Sequence, residues 1–209
     1  MITVAIAEDH VSLSDGLQLF LEQETDIKVK YTATNGVQLL SKFKEEPTDV
    51  ILTDISMPEM NGIELCKTIK SQYNSTKVIA LSMFDNSGAI KDMINAGVDG
   101  YVLKSSPLID LRQAVRDVFN DQNYFDVHIK EQVEEIQSQK LKKNLLSRSE
   151  REILQFIAKG LTSQQIAEIR GSAISTVNKH RKNMIQKLGL SGKRELLEYA
   201  MNQHAHSNS

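Results

Sequence analysis

Short apolar runs rich in β-branched residues recur through the first half of the chain: "ITVAIA" (2–7), "IKVKYTA" (27–33), "DVILT" (49–53), "KVIALS" (77–82) and "VDGYVL" (98–103). Each has the length and composition of a strand. Between them the apolar positions change to helical spacing, as in Leu13, Leu17, Phe20 and Leu21, or Ile63, Leu65, Cys66 and Ile69. Ser106 before Pro107 supplies a cap and an N1 proline ahead of "LIDLRQAVRDVF". Five strands alternating with five helices predict an α/β fold, a doubly wound five-stranded parallel sheet covered on both faces.

From Asp121 the pattern changes. "HIKEQVEEIQSQKLKKN" (128–144) is polar, with a thin apolar stripe of Ile129, Val133, Ile136 and Leu141. It reads as a partly helical linker, or as a last helix of the first domain. Beyond Leu145 no strand pattern remains. Ser147 with Glu150, and Thr162 with Gln165, form capping-box patterns ahead of two short helices. A third helix is expected from about Ser175 to Leu188, before Gly189, and a fourth from about Gly192 to Gln203. The expected division is residues 1–121, a linker at 122–144 and a smaller all-α domain at 145–209.

Charge reinforces this division. Residues 1–139 carry 12 Lys and Arg against 22 Asp and Glu, a net −10, while residues 140–209 carry 13 against 5, a net +8. The overall −2 thus hides an acidic half suited to a cation or regulator and a basic half suited to a polyanion. Cys66 is the only cysteine, which excludes an internal disulfide framework and fits a reducing compartment. Glu8 and Asp9 stand where a signal peptide would need its apolar core, and no apolar run approaches the ~18 residues of a membrane span. A cytoplasmic protein with no membrane partner is expected.

In a parallel α/β sheet, ligands bind beyond the carboxyl ends of the strands. Glu8 and Asp9 follow the first strand here, Asp54 the third, Ser82 the fourth and Lys104 the fifth. Clustered carboxylates repel one another unless a cation sits among them. Mg²⁺ suits oxygen ligands and commonly takes one or two carboxylates with waters and a phosphate oxygen. A carboxylate can also attack phosphorus and form an aspartyl phosphate. Asp54 is the candidate nucleophile and phosphoacceptor. Glu8 and Asp9 would hold Mg²⁺, Lys104 would pair with a phosphoryl oxygen, and Ser82 would donate a hydrogen bond to another.

The motifs "AEDH", "LTDISMPEMNG", "ALSMF" and "YVLK" make residues 1 to about 120 resemble a response-regulator receiver domain. The resemblance implies a flavodoxin-like sheet, a sensor histidine kinase as phosphoryl donor, and Mg²⁺ bound by Glu8, Asp9, Asp54 and the backbone carbonyl of Ser56. It also implies a switch in which Ser82 moves inward and Tyr101 rotates with it. Lys104 lacks an immediately following proline, and Met83, Ser56 and Phe84 flank the site, where they bear on access and on phosphoryl lifetime. An aspartyl-nucleophile phosphatase would share the Asp but usually needs a second acid two residues on, where this chain has Ser56. A scaffold independent of phosphate is disfavoured by the intact acid, hydroxyl and lysine set. No enzyme turning over an external substrate is therefore expected.

The basic half contains "STVNKHRKNMIQKLG" (175–189), with Val177, Met184, Ile185 and Leu188 on an inward stripe. With the preceding "LSRSEREILQFIAKGLTSQQIAE", it is similar to the helix-turn-helix domain of NarL/LuxR-type regulators over roughly 145–203. That resemblance implies binding to double-stranded DNA, with Asn178, Lys179 and Lys182 at base edges. Thr176, Arg181, Lys187 and Arg194 would then contact phosphates. The turn departs from the family at Arg170, Ser172 and Ala173, where a Leu, an apolar residue and a Ser are usual; Ser172 is the candidate substitute cap. Leu196, Leu197, Ala200 and Met201 line one side of the last helix, either for the homodimer expected on phosphorylation or for the domain's own core.

Overall fold

The computed structural model describes residues 1–83 and 87–205. It divides into two compact units, Met1–Ile136 and Gln137–Ser209.

The first unit alternates strand and helix: β1 (Ile2–Ala7), α1 (Val11–Leu21), β2 (Ile27–Ala33), α2 (Gly36–Glu45), β3 (Val50–Asp54), α3 (Gly62–Gln72), β4 (Lys77–Ser82), α4 (Ser87–Ala96), β5 (Gly100–Leu103) and α5 (Leu108–Phe119). The strands are parallel in the order β2-β1-β3-β4-β5, as in a doubly wound sheet. A short sixth strand, β6 (Tyr124–Phe125), extends the edge beside β5. Two residues have no periodicity, so this addition left no mark in the apolar pattern.

Because side chains alternate across a strand, each central strand feeds two cores. Ala5, Ile51, Ala80 and Tyr101 pack with Leu39, Phe43, Leu65, Ile69, Ile90 and Met93 from α2, α3 and α4. Their sequence neighbours Val4, Leu52, Leu81 and Val102 pack on the other side with Leu17, Leu21, Leu111 and Val115 from α1 and α5. Burial on both faces is why β3 reads as an apolar run through Leu52, with the buried Thr53 leading to Asp54 at its end.

Residues 122–144, the expected linker, hold β6 and one helix. Helix α6 (Lys130–Asn144) starts in the first unit and continues into the second. Ile129 and Val133 are fully buried in the core that holds Tyr101 and Phe43, and Ile136 packs against its edge. Ser106 does not cap α5. Pro107 is the N-cap, without a side-chain bond, and the Ser106 hydroxyl donates instead to the Asp126 carboxylate.

The second unit's α7 (Arg148–Ala158), α8 (Ser163–Arg170), α9 (Ile174–Leu188) and α10 (Lys193–Ala205) surround Leu146, Ile153, Ile157, Ile166, Val177, Met184, Leu188 and Leu196. Both capping boxes form: Ser147 with Glu150 starts α7, and Thr162 with Gln165 starts α8. Gly171 (φ 59°) and Gly189 (φ 65°) end α8 and α9 in the left-handed conformation that favours glycine. The atypical turn is held differently from the family pattern. Arg170 pairs with Glu152 at 2.6 Å across α7 and α8, and α9 begins from Ala173 with no side-chain cap, Ser172 taking no part.

Candidate functional site

Sheet register gathers the polar strand ends. Ala7 lies opposite Thr53, Asp54 opposite Leu81, and Ser82 opposite Leu103, so Glu8, Asp54, Ser82 and Lys104 emerge at nearly one level. Glu8, Asp54 and Ser82 are buried. Lys104 lies among them with Nζ 2.7 Å from Glu8 Oε2 and 3.0 Å from Asp54 Oδ2. Asp54 Oδ1 accepts the Ile55 amide at 2.7 Å, which fixes the plane of the carboxylate. Burial pulls the Lys104 ammonium down, but hydrogen bonds to Glu8 and Asp54 outweigh it and hold its pKa above the ordinary lysine value. The lysine therefore stays charged.

One ammonium does not balance three carboxylates. Glu8, Asp9, His10 and Asp54 each place a potential ligand atom within 4.8 Å of the others. His10 Nδ1 lies 3.1 Å from Glu8 Oε1 and 3.1 Å from Asp9 Oδ1; the Glu8 hydrogen bond and then the Asp9 charge raise its pKa. Hard oxygen donors crowded to this degree fit a small divalent cation. Above the acids opens a cavity of about 520 Å³, lined by Asp54, Ser56, Ser82, Met83 and Lys104 among others. Ser56 and Met83 are exposed at its mouth, and Phe84 lies outside the described residues. Tyr101 is fully buried beneath the site, in the cluster that includes Ile90, Ile129 and Val133.

Two contributors went unread in the chain: His10, although it directly follows the acid pair, and Gly62. Asn61 caps α3 in a capping box with Glu64, bringing the first turn of that helix against the end of β3. The Gly62 amide donates to the Ile55 carbonyl at 3.0 Å, and a Cβ on Gly62 would lie 2.1 Å from the Asp54 carbonyl oxygen. Gly62→Ala must push the Asp54 backbone aside. A loss of about 1–3 kcal/mol in stability is expected from this overpacking, measured by denaturant unfolding, together with slower phosphoryl acceptance.

In the second unit, Thr176, Asn178, Lys179 and Lys182 are exposed on α9. Lys179, Lys182 and Gln186, also exposed, follow one another at three and four residues and so share the helix side opposite Val177, Met184 and Leu188. Two of the expected phosphate contacts have partners within the fold. Arg181 turns toward α8, where it donates to Ser163 Oγ at 2.8 Å, and burial lowers its pKa. Lys187 binds the buried Glu150 at 2.7 Å. Arg194 is exposed and pairs with Glu198 one turn on. On α10, Leu196 and Ala200 are buried in the domain's own core while Leu197 and Met201 are exposed.

Glu150 caps α7 and anchors α9 at once. Burial raises its pKa, but the hydrogen bonds from Lys187 and Ser147 outweigh this and leave it below the ordinary glutamate value. A depressed carboxylate stabilises the fold above its unfolded pKa, and that contribution fades as pH falls through the folded one. Glu150→Gln is expected to lower the melting temperature at pH 7 and to narrow the gap from wild type below about pH 4. An equal gap at both pH values in thermal melts would show that the Glu150 charge contributes nothing.

Comparison with known proteins follows the same division. Residues 4–116 match the response regulator receiver domain, and residues 144–200 match the bacterial regulatory proteins of the luxR family. The oxygen regulatory protein NreC of Staphylococcus epidermidis is 34% identical over 209 residues, covering 95% of this chain and 96% of that protein. Among solved structures, the RcsB response regulator of Salmonella typhimurium is 27% identical, with a TM-score of 0.61 and coverage of 95% of this chain and 98% of that one. An RcsB–DNA complex matches at 27% identity and a TM-score of 0.60, covering 95% of this chain and 96% of that one. Among the described residues, no helix is long and apolar enough to cross a membrane.

Proposed function

Because the chain belongs to the response regulators that join a receiver domain to a luxR-family DNA-binding domain, we propose that Asp54 is its phosphoryl acceptor and that phosphorylation there governs its hold on double-stranded DNA. The protein is a DNA-binding transcription regulator of a two-component system, and its pairing of domains is that of a regulator rather than an enzyme. We assign residues 1–121 to the receiver, 122–144 to the linker and 145–209 to the DNA-binding domain. The observation that carries the reading is the buried Asp54 carboxylate, 3.0 Å from Lys104 and open to the cavity.

The donor is a phosphorylated histidine of a sensor kinase. An Asp54 oxygen attacks phosphorus in line, the P–N bond breaks, and the imidazole leaves. Lys104 then exchanges the Asp54 oxygen for a phosphoryl oxygen, and the Ser82 hydroxyl donates to another. Glu8, Asp9, Asp54 and the Ser56 carbonyl would hold Mg²⁺, which supplies positive charge to the phosphoryl oxygens when bound. Water attacking the same acyl phosphate returns the site slowly to its resting state. Inward movement of Ser82 is coupled to rotation of the buried Tyr101, reshaping the surface of β4, β5 and α4 and favouring a homodimer. The DNA-binding face consists of Thr176, Asn178, Lys179, Lys182 and Arg194; Arg181 and Lys187 are left out because they hold the domain together. The reducing cytoplasm suits the lone buried Cys66.

Beryllofluoride with Mg²⁺, a mimic of the acyl phosphate, is expected to raise the hydrodynamic mass of the wild type and to tighten its binding to selected genomic fragments. If mass and DNA affinity both stay unchanged in saturating mimic, phosphorylation does not govern this protein.

A further inference from the structure

Asp126 is a buried carboxylate that the phosphoryl chemistry does not use. It is 2% exposed and lies immediately after β6, at the entrance to α6. Its Oδ2 accepts the Ser106 hydroxyl and, at 3.5 Å, the Leu103 amide. Those two residues flank Lys104 and Ser105, and the Ser106 amide closes the same turn on the Leu103 carbonyl at 3.0 Å. One carboxylate oxygen thus brackets the turn that presents Lys104. The other oxygen, Oδ1, accepts the His128 amide at 3.0 Å, and the Asp126 carbonyl accepts the Ile129 amide at 3.0 Å.

We propose that Asp126 is a positioning residue that holds the Lys104 turn and ties it to the start of α6, the helix that continues into the DNA-binding half. A local turn former would be satisfied by the His128 amide alone. The second oxygen instead reaches back 20 residues to Ser106 and 23 to Leu103. Burying a carboxylate away from any cation is costly unless its lone pairs are filled. When Lys104 shifts toward a phosphoryl group, the turn pulls on Oδ2. The same carboxylate passes that displacement to the His128 amide, and the Asp126 backbone carbonyl passes it to the Ile129 amide; Ile129 is seated in the core that holds Tyr101. The route is a contiguous set of hydrogen bonds from Ser106 and Leu103 through Asp126 to His128 and Ile129.

The tie itself stands without the Asp54 reading; its use in signalling rests on that reading. Amide hydrogen exchange on the full chain, without ligand, tests the first. Ser106→Ala is expected to speed exchange at His128 and Ile129 by about 10-fold, as for loss of a charge-assisted hydrogen bond. Ser106→Thr, which keeps the hydroxyl, should restore the wild-type rate, and Asp126→Asn should loosen both 103–106 and 128–129. Unchanged exchange at 128–129 in Ser106→Ala would overturn the tie even if Asp126→Asn failed to fold. Beryllofluoride with Mg²⁺ then tests positioning, since Ser106→Ala should bind it about 3- to 10-fold more weakly. Equal affinity in Ser106→Ala and wild type would remove Lys104 positioning from the role. Wild type that binds no beryllofluoride, while exchange still links 106 to 128, would refute the Asp54 reading and leave the tie standing.

Discussion

Replacing Asp54 with asparagine is expected to reduce phosphoryl incorporation by at least about 10³-fold, because it removes the nucleophile rather than a group that assists it. Asparagine preserves the size of the side chain and keeps an oxygen for the Ile55 amide, now 2.7 Å from Oδ1. It loses the anion proposed to attack phosphorus, which Lys104 holds at 3.0 Å. The variant should still fold. Lys104 retains Glu8 at 2.7 Å, and removing one of three crowded carboxylates relieves repulsion while it removes an ion pair. Intact-mass measurement after incubation with phosphorylated kinase or a small phosphoryl donor reads the outcome directly. Lys104→Ala should behave differently. It leaves the nucleophile in place but buries Glu8 and Asp54 without their cation, so incorporation should be slowed while the DNA response is lost. A phosphoryl group found at wild-type yield in Asp54→Asn, on Ser56 or Ser82, would move the acceptor to a hydroxyl and discard the mechanism.

The acid site was readable because its members sit where one-dimensional patterns end. A buried parallel strand is a mostly apolar run, so the polar residues at or just past its end mark the carboxyl edge of the sheet, and Glu8, Asp54, Ser82 and Lys104 stand there. Capping boxes were readable for a similar reason: Ser147 with Glu150 and Thr162 with Gln165 are contacts between residues three apart. What stayed hidden depends on partners far along the chain. Ser106 looked like a cap for α5, but its hydroxyl has a buried carboxylate available 20 residues later. Lys187 looked like a free cation, yet Glu150, 37 residues earlier, needs a charge partner in the core. Helical periodicity tells which side of α9 faces inward, but long side chains such as Arg181 lie near its boundary, and only the packed neighbour decides their direction. Gly62 carries no such pattern, because its closest constraint is the Asp54 backbone, distant in the chain by several residues of loop.

The same distinction between free and engaged cations sets the second large effect. Lys179→Ala and Lys182→Ala should each weaken DNA binding by about 10-fold or more, within the ~1–3 kcal/mol typical of a specific base contact. Both side chains are exposed on the side of α9 opposite its buried stripe, so truncation removes charge without opening the core. Thermal stability should stay within about 0.5 kcal/mol of wild type, as for other surface substitutions. If either lysine contacts a phosphate, its loss lowers the dependence of log affinity on log salt by about 0.9 and acts alike on all sequences. If it reads a base, the salt slope changes less and one operator position becomes permissive. Lys187→Ala is the informative contrast. It strips the buried Glu150 of its partner, so it should lower the melting temperature while leaving the salt slope of the folded fraction unchanged. Binding titrations at several salt concentrations, paired with melts, separate these cases. Wild-type affinity and slope in both Lys179→Ala and Lys182→Ala would mean that α9 does not enter the DNA groove with this side. A reduced slope in Lys187→Ala with no loss of stability would mean that its ammonium leaves Glu150 for a phosphate when DNA is bound.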